Sequence, residues 1–106
     1  MKAEFAHPAE AAYARLLDEH GIPWEYEPHT FRLEVGEDGR VVEAVTPDFY
    51  LPTIGVYVEC TTTRPRLVHR KRRKARKLRE RYGAIVTLLE RADLERLLGR
   101  KRPGAT

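Results

Sequence analysis

The stretch from Thr46 to Thr63, TPDFYLPTIGVYVECTTT, most constrains what this chain can fold into. Pro52 and Gly55 predict a turn between two strand-like runs, which favours a β-hairpin. Asp48 lies on the first run and Glu59 lies eleven residues later on the second. A hairpin with this turn would bring the two carboxylates together.

Two converging carboxylates are typical of a site for a hard divalent cation. Side chains alternate across a strand, so Tyr57, Glu59 and Thr61 are expected to share one face of the second run. Carboxylate oxygens suit Mg²⁺ or Mn²⁺. A simpler interpretation remains open, in which Asp48 is an ordinary turn residue and Glu59 is a solvated residue on the outer face of a strand.

Positive charge is concentrated immediately after this hairpin. Between Arg64 and Arg81 there are 11 Lys or Arg residues and one acidic residue, Glu80, which gives that segment a net charge of +10. The 9 basic and 15 acidic residues elsewhere give −6. An acidic body with one polycationic segment is suited to meeting a polyanion locally. A carboxylate pair beside a polycation favours phosphodiester chemistry.

The length of 106 residues is suited to one small domain, which we place at residues 1–99, followed by a basic flexible tail at residues 100–106. No apolar run approaches the roughly 20 residues needed to span a bilayer, so we expect no membrane partner. The single Cys60 excludes an internal disulfide, and the sequence MKAEFAHPAE lacks the apolar core of a signal peptide. We therefore expect a cytoplasmic protein, with Cys60 as a small core residue.

The hydrophobic pattern predicts an α/β fold with the element order αβββαβα and a central mixed sheet flanked by helices. The first helix follows Pro8, and strands are expected at Ile22–Leu33, Arg40–Tyr50 and Ile54–Thr62. The helix Arg66–Tyr82 then crosses to a strand at residues 84–90, and a last helix covers residues 92–99. The core-facing positions of the basic helix are predicted to be Leu67, Ala75, Leu78 and Tyr82.

This order, with acidic residues at these places, resembles the restriction-endonuclease-like core of the PD-(D/E)XK nuclease superfamily. Thr46-Pro47-Asp48-Phe49 resembles the proline-aspartate motif, and Val58-Glu59-Cys60-Thr61 resembles the motif acid, any residue, lysine. Glu10 corresponds to the glutamate that many members carry on the first helix. The resemblance implies that Glu10, Asp48 and Glu59 hold Mg²⁺ or Mn²⁺, with the backbone carbonyl of Cys60 as a further ligand.

The chain departs from this family at the motif lysine, because Thr61 occupies that position. Thr61 cannot supply a positive charge to the reacting phosphate. Either the domain has lost catalysis and only binds, or a cation reaches the site from elsewhere. Lys71 and Lys74 fall on the inward face of the basic helix, and Lys71 is predicted to lie beside Glu59 as the replacement. An alternative is that the Lys71 side chain only extends along the helix edge to reach solvent.

The leading hypothesis is a metal-dependent endonuclease that hydrolyses phosphodiesters in nucleic acid, with DNA favoured over RNA. Two alternatives remain open: a non-catalytic nucleic-acid-binding module on the same fold, and a small subunit that binds a protein partner. A homodimer is the simplest way for so small a domain to enlarge its footprint. The residues predicted to contact nucleic acid are Arg64, Arg66, Arg70, Arg72, Arg73, Lys74, Arg76 and Lys77.

Overall fold

The computed structural model describes residues 4–61 and 65–99, the side chain of Pro65 excepted, so Arg64 and the proposed tail at residues 100–106 lie outside the described residues. The elements in chain order are α1 (Pro8–Glu19), β1 (Glu25–Tyr26), β2 (Phe31–Val35), β3 (Val41–Val45), β4 (Phe49–Leu51), β5 (Val56–Cys60), α2 (Pro65–Tyr82), β6 (Ile85–Leu89) and α3 (Arg91–Leu97). Within these ranges, no helix combines the length and the apolar character that crossing a bilayer requires.

The central sheet has four strands in the order β1-β4-β5-β6. β1 pairs antiparallel with β4, and β4 pairs antiparallel with β5. Helix α2 then crosses over, so that β6 pairs parallel with β5. The prediction of a small α/β domain with a mixed sheet and three helices is confirmed.

The predicted number of strands before α2 was wrong, because the described residues form five instead of three. The expected first strand is interrupted at Pro28, next to Glu27 with its positive φ of 46°. The expected second strand is interrupted before Pro47. Proline lacks a backbone N–H and cannot donate to a strand ladder, so each run divides in two. The middle pieces, β2 and β3, pair with each other in a separate two-stranded sheet.

The main core lies between the sheet and helices α1 and α3. Phe49 is fully buried, and its ring lies 5.2 to 6.0 Å from the rings of Phe5, Tyr13, Trp24 and Tyr26. These separations are typical of packed aromatic pairs. The same cluster includes residues from β5 and both helices: Ala14, Leu17, Val58, Cys60 and Leu94. This packing anchors β4 and β5, whose adjoining ends carry Asp48 and Glu59.

Helix α2 buries only part of the predicted set of side chains, because Leu78 is buried as predicted while Leu67 and Ala75 are half-buried. Leu78 and Val68 are buried apolar residues of this helix, whereas Tyr82 is half exposed. Tyr82 ends the helix, and its hydroxyl donates to the carbonyl of Arg32 in β2 at 2.6 Å instead of entering the core. The helix stops there because Gly83 adopts a φ of +67° and donates its N–H to the Arg79 carbonyl at 3.0 Å.

Candidate active site

The β4–β5 hairpin brings Asp48 and Glu59 together. Phe49 lies opposite Val58, and continuing this register by one residue sets Asp48 opposite Glu59. The backbone N–H of Asp48 donates to Glu59 Oε1 at 3.0 Å. The turn that allows this pairing needs Gly55, which has a φ of +67° and donates its N–H to the Leu51 carbonyl at 2.8 Å.

Asp48 is held in a buried, electrostatically unfavourable position. Its Oδ2 accepts the backbone N–H of Cys60 at 2.9 Å, and the residue is only 8% exposed. Burial raises the pKa of Asp48 from 3.8 to about 7, and the negative charge of Glu59 adds to this effect. The Cys60 N–H opposes the rise, while the charge of Glu10 supports it. A carboxyl group whose pKa is raised in this way is stabilised in its ionised form by a nearby cation.

Glu10 joins this acidic group from helix α1. It is 7% exposed, and its Oε1 accepts the Tyr26 hydroxyl at 2.5 Å. Burial raises the pKa of Tyr26, and its hydrogen bond to Glu10 adds to the rise. Tyr26 therefore remains a donor at neutral pH and fixes the orientation of the Glu10 carboxylate. This role of Tyr26 was not predicted from the sequence.

Lys71 lies where the replacement cation was expected. Its Nζ is 3.1 Å from Glu59 Oε2, and the two side chains are 32% and 14% exposed. An ion pair with this little solvent contact is screened less than one on the surface. The lysine comes from the second turn of α2, the helix that follows β5 in the chain. The geometry therefore places a positive charge beside the acidic pair without a lysine in the strand motif.

Thr61 and Cys60 have no charged role at the site. Thr61 is 2% exposed, and its Oγ1 finds no hydrogen-bond partner among the described residues. Its N–H continues the ladder by donating to the Leu89 carbonyl at 2.8 Å. Cys60 packs in the core, and burial raises the pKa of its thiol to about 12, so the thiol is not a nucleophile at neutral pH. The backbone carbonyl that was predicted as a metal ligand is that of Cys60, at the end of β5.

Four basic residues of α2 form ion pairs with carboxylates of the described chain. Besides Lys71, Arg72 contacts Glu90 at 2.7 Å, while Arg73 and Lys77 contact Glu43 at 2.9 and 3.0 Å. Lys77, which was predicted to contact nucleic acid, is only 27% exposed and reaches Glu43 in β3 instead. Lys77 and then Arg73 lower the pKa of Glu43. These contacts attach α2 to the β2–β3 hairpin and to the end of β6.

The remaining predicted nucleic-acid contacts on α2 differ in exposure. Arg66, Arg70 and Arg76 are exposed, and none forms an ion pair with the part of the chain that the structure describes. Lys74 is half-buried and likewise has no such partner. Three arginines with free guanidinium groups on one helix are suited to phosphate contact.

The acidic residues offer a small set of metal ligands. Across residues 4–61 and 65–99, no group of three or more His, Cys, Asp or Glu side chains is arranged to hold a metal ion. The two hairpin carboxylates nevertheless provide hard oxygen donors, and Asp48 Oδ1 accepts no hydrogen bond from the described residues. Mg²⁺ is commonly bound through only one or two carboxylates together with waters and substrate phosphate. The donor set of Asp48 and Glu59 fits that pattern.

Comparison with known proteins does not assign the chain to a family. No protein-family model matches it, and searches of curated proteins and of solved structures also find no match.

Proposed function

We propose that this chain is a metal-dependent nuclease of the PD-(D/E)XK type, in which Lys71 on α2 replaces the lysine of the strand motif. The observation that carries the proposal is the 3.1 Å contact of Lys71 Nζ with Glu59 Oε2, next to the Glu59–Asp48 hydrogen bond. The arrangement supplies two carboxylates and one cation within a single small site. A metal held by two carboxylates, with a cation beside it, can promote phosphodiester hydrolysis.

The hydrolysis forms a bond between a water oxygen and phosphorus and breaks the bond from phosphorus to the leaving oxygen. One proton leaves the water, and one is taken up by the leaving oxygen. Mg²⁺ or Mn²⁺ at Asp48 and Glu59 would lower the pKa of the water and offset negative charge on the phosphate. Lys71 would orient the water through its ammonium and stabilise charge that develops on the phosphate.

The supporting residues keep the two carboxylates in place. The Cys60 N–H fixes Asp48, and the Asp48 N–H fixes Glu59. Tyr26 orients Glu10, whose charge lies close enough to raise the pKa of Asp48. Because backbone groups of paired strands make the first two contacts, the carboxylates are preorganised before substrate binds.

DNA is the proposed substrate class, with Arg66, Arg70 and Arg76 as contacts to its backbone phosphates. These side chains lie on the helix that carries Lys71, so phosphates along α2 would direct one phosphodiester toward the acidic pair. Arginine forms forked contacts to phosphate without reading base identity. We therefore expect affinity to depend on salt more strongly than on sequence.

A cleavage assay tests the proposal. Wild-type protein is incubated with single-stranded, duplex and branched DNA in Mg²⁺, in Mn²⁺ and in EDTA. We expect divalent-dependent cleavage of at least one substrate, abolished in Asp48→Asn and Glu59→Gln. The matched control is Glu37→Gln, which removes an exposed acidic charge from the turn between β2 and β3. Binding without cleavage under every condition would contradict the proposal and favour the non-catalytic nucleic-acid-binding module.

A further inference from the structure

Lys74 differs from every other basic residue that the structure describes on α2. Lys71, Arg72, Arg73 and Lys77 are paired with carboxylates, and the unpaired arginines are exposed. Lys74 is half-buried and has no acidic partner among the described residues. Lys74 is therefore partly covered by the protein, and its positive charge is not neutralised by an acidic side chain within the described structure.

Lys74 lines a cavity of about 80 Å³ between α2 and the central sheet. Glu59 and Lys71 line the same cavity, whose other walls are mainly apolar and include Leu78 and Leu88. Lys71 and Lys74 are three residues apart, so both project from one side of the helix. Glu59 is already 3.1 Å from Lys71, which makes Lys71 its ion-pair partner.

The residues that line this cavity carry one uncompensated positive charge. Glu59 and Lys71 offset each other, and Lys74 adds one positive charge beside apolar walls. Asp48, whose N–H binds Glu59, does not line the cavity. An ammonium without an acidic partner keeps its donors for an external acceptor, and an anion beside it is stabilised by the opposite charge. A hydrogen bond to a charged acceptor is also stronger than one between uncharged groups. The free donor of the cavity is therefore Lys74.

We infer that Lys74 binds a non-bridging oxygen of a phosphate group at the mouth of this cavity, beside Glu59. The ligand class is a phosphate monoester or diester, recognised through its oxyanion. The position of that phosphate in a reaction rests on the nuclease function proposed above. In that setting Lys74 fixes the scissile phosphate against the acidic pair, whereas Arg66, Arg70 and Arg76 hold flanking phosphates.

Inorganic phosphate provides a direct test that needs no catalysis. Wild-type protein is titrated with phosphate at constant ionic strength without divalent metal, and binding is followed by NMR through the lysine ε-methylene resonances. The comparison variants are Lys74→Gln, Lys74→Arg and Arg79→Gln. The last is the matched control, because it removes one positive charge from an exposed position of the same helix that does not line the cavity.

We expect saturable binding to wild type, at least about tenfold weaker binding to Lys74→Gln, and retained binding in Lys74→Arg and Arg79→Gln. Absence of saturable binding to wild type would overturn the inference. Equal small reductions in Lys74→Gln and Arg79→Gln would also overturn it, since they indicate only a general charge effect. Circular dichroism of each variant verifies folding, and Lys74→Arg tests the role of the charge independently of the glutamine variant.

A parallel cleavage assay separates this inference from the proposed function. Phosphate binding through Lys74 in a protein that cleaves no nucleic acid would support the inference and count against the nuclease. Divalent-dependent cleavage at an unchanged rate in Lys74→Gln, with unchanged phosphate affinity, would overturn the inference and leave the nuclease proposal in place.

Discussion

Replacing Asp48 with Asn should change the pH dependence of stability in a defined direction. The folded-state pKa of Asp48 is raised from 3.8 to about 7, so its ionised form is disfavoured by folding. Between these two values the folded protein binds more protons at this site than the unfolded chain does. Stability contributed by the protonated form is therefore present below pH 3.8 and is lost as the pH rises through 7.

The size of this effect on the free energy of unfolding follows from the change in the pKa of Asp48. A difference from 3.8 to about 7 corresponds to an upper limit of about 4 kcal/mol. The effective dielectric around a buried charge is higher than that of a dry interior, which reduces the effect, and we expect about 2 kcal/mol. Asparagine keeps an oxygen that accepts the Cys60 N–H and presents an amide N–H₂ instead of a charge to Glu59. It therefore resembles protonated aspartate at every pH.

Urea denaturation of wild type and Asp48→Asn in EDTA, at about pH 5 and about pH 8, measures the effect. The free energy of unfolding of the variant relative to wild type should rise by about 1 kcal/mol between these pH values, because part of the about 2 kcal/mol is already lost between pH 3.8 and pH 5. Adding Mn²⁺ at the higher pH should stabilise wild type and leave the variant unchanged, because ligand that binds only the native state raises its stability. A variant that is less stable than wild type at the higher pH in EDTA would refute this account of the acidic pair.

Three further substitutions test particular contacts. Thr61→Val should leave the free energy of unfolding unchanged or raise it by about 1 kcal/mol, because it removes a buried hydroxyl that has no partner among the described residues; a decrease of more than about 1 kcal/mol in urea denaturation would contradict this. Glu43→Gln should lower stability at neutral pH, with a difference that shrinks as the pH falls below the ordinary pKa of 4.5, since Lys77 and Arg73 lower the pKa of Glu43; equal denaturation curves at neutral pH would count against that role. The three exposed arginines to be replaced with Gln together are Arg66, Arg70 and Arg76. The slope of log affinity for duplex DNA against log salt concentration should become less steep by about 2 to 3, at about 0.9 for each phosphate that is no longer neutralised. An unchanged slope would exclude these arginines from phosphate binding.

The local pattern of the sequence predicted that Asp48, Glu59 and Lys71 converge, as they do at the candidate site. The period of two along a strand and the turn at Pro52 and Gly55 together set Asp48 opposite Glu59. The helical period of α2 placed Lys71 on its inward side, near the start of the helix that follows β5 in the chain. Each of these inferences depends on residues that are near one another in the chain, where geometry is strongly restricted.

Contacts made by the β2–β3 hairpin could not be anticipated in the same way. Lys77 and Glu43 are separated by 34 residues, and their contact depends on how a separate small sheet docks against α2. The sequence near each of these two residues does not indicate which residue it contacts. The pairing of Tyr26 with Glu10 is similar, because it requires the packing of α1 against β1. An aromatic residue on a short strand is equally compatible with an ordinary core position.

The most direct test of the central claim is the single-turnover rate of DNA cleavage in Mn²⁺ by wild type, Lys71→Ala and Arg76→Ala. We predict that Lys71→Ala lowers the rate by about 10² or more with little change in DNA affinity, the scale expected for removing one group that stabilises the transition state. Arg76→Ala should instead weaken affinity and keep the rate at saturating protein. Cleavage by Lys71→Ala at the wild-type rate would contradict the assignment of this lysine, and absence of cleavage by wild type would contradict the nuclease itself.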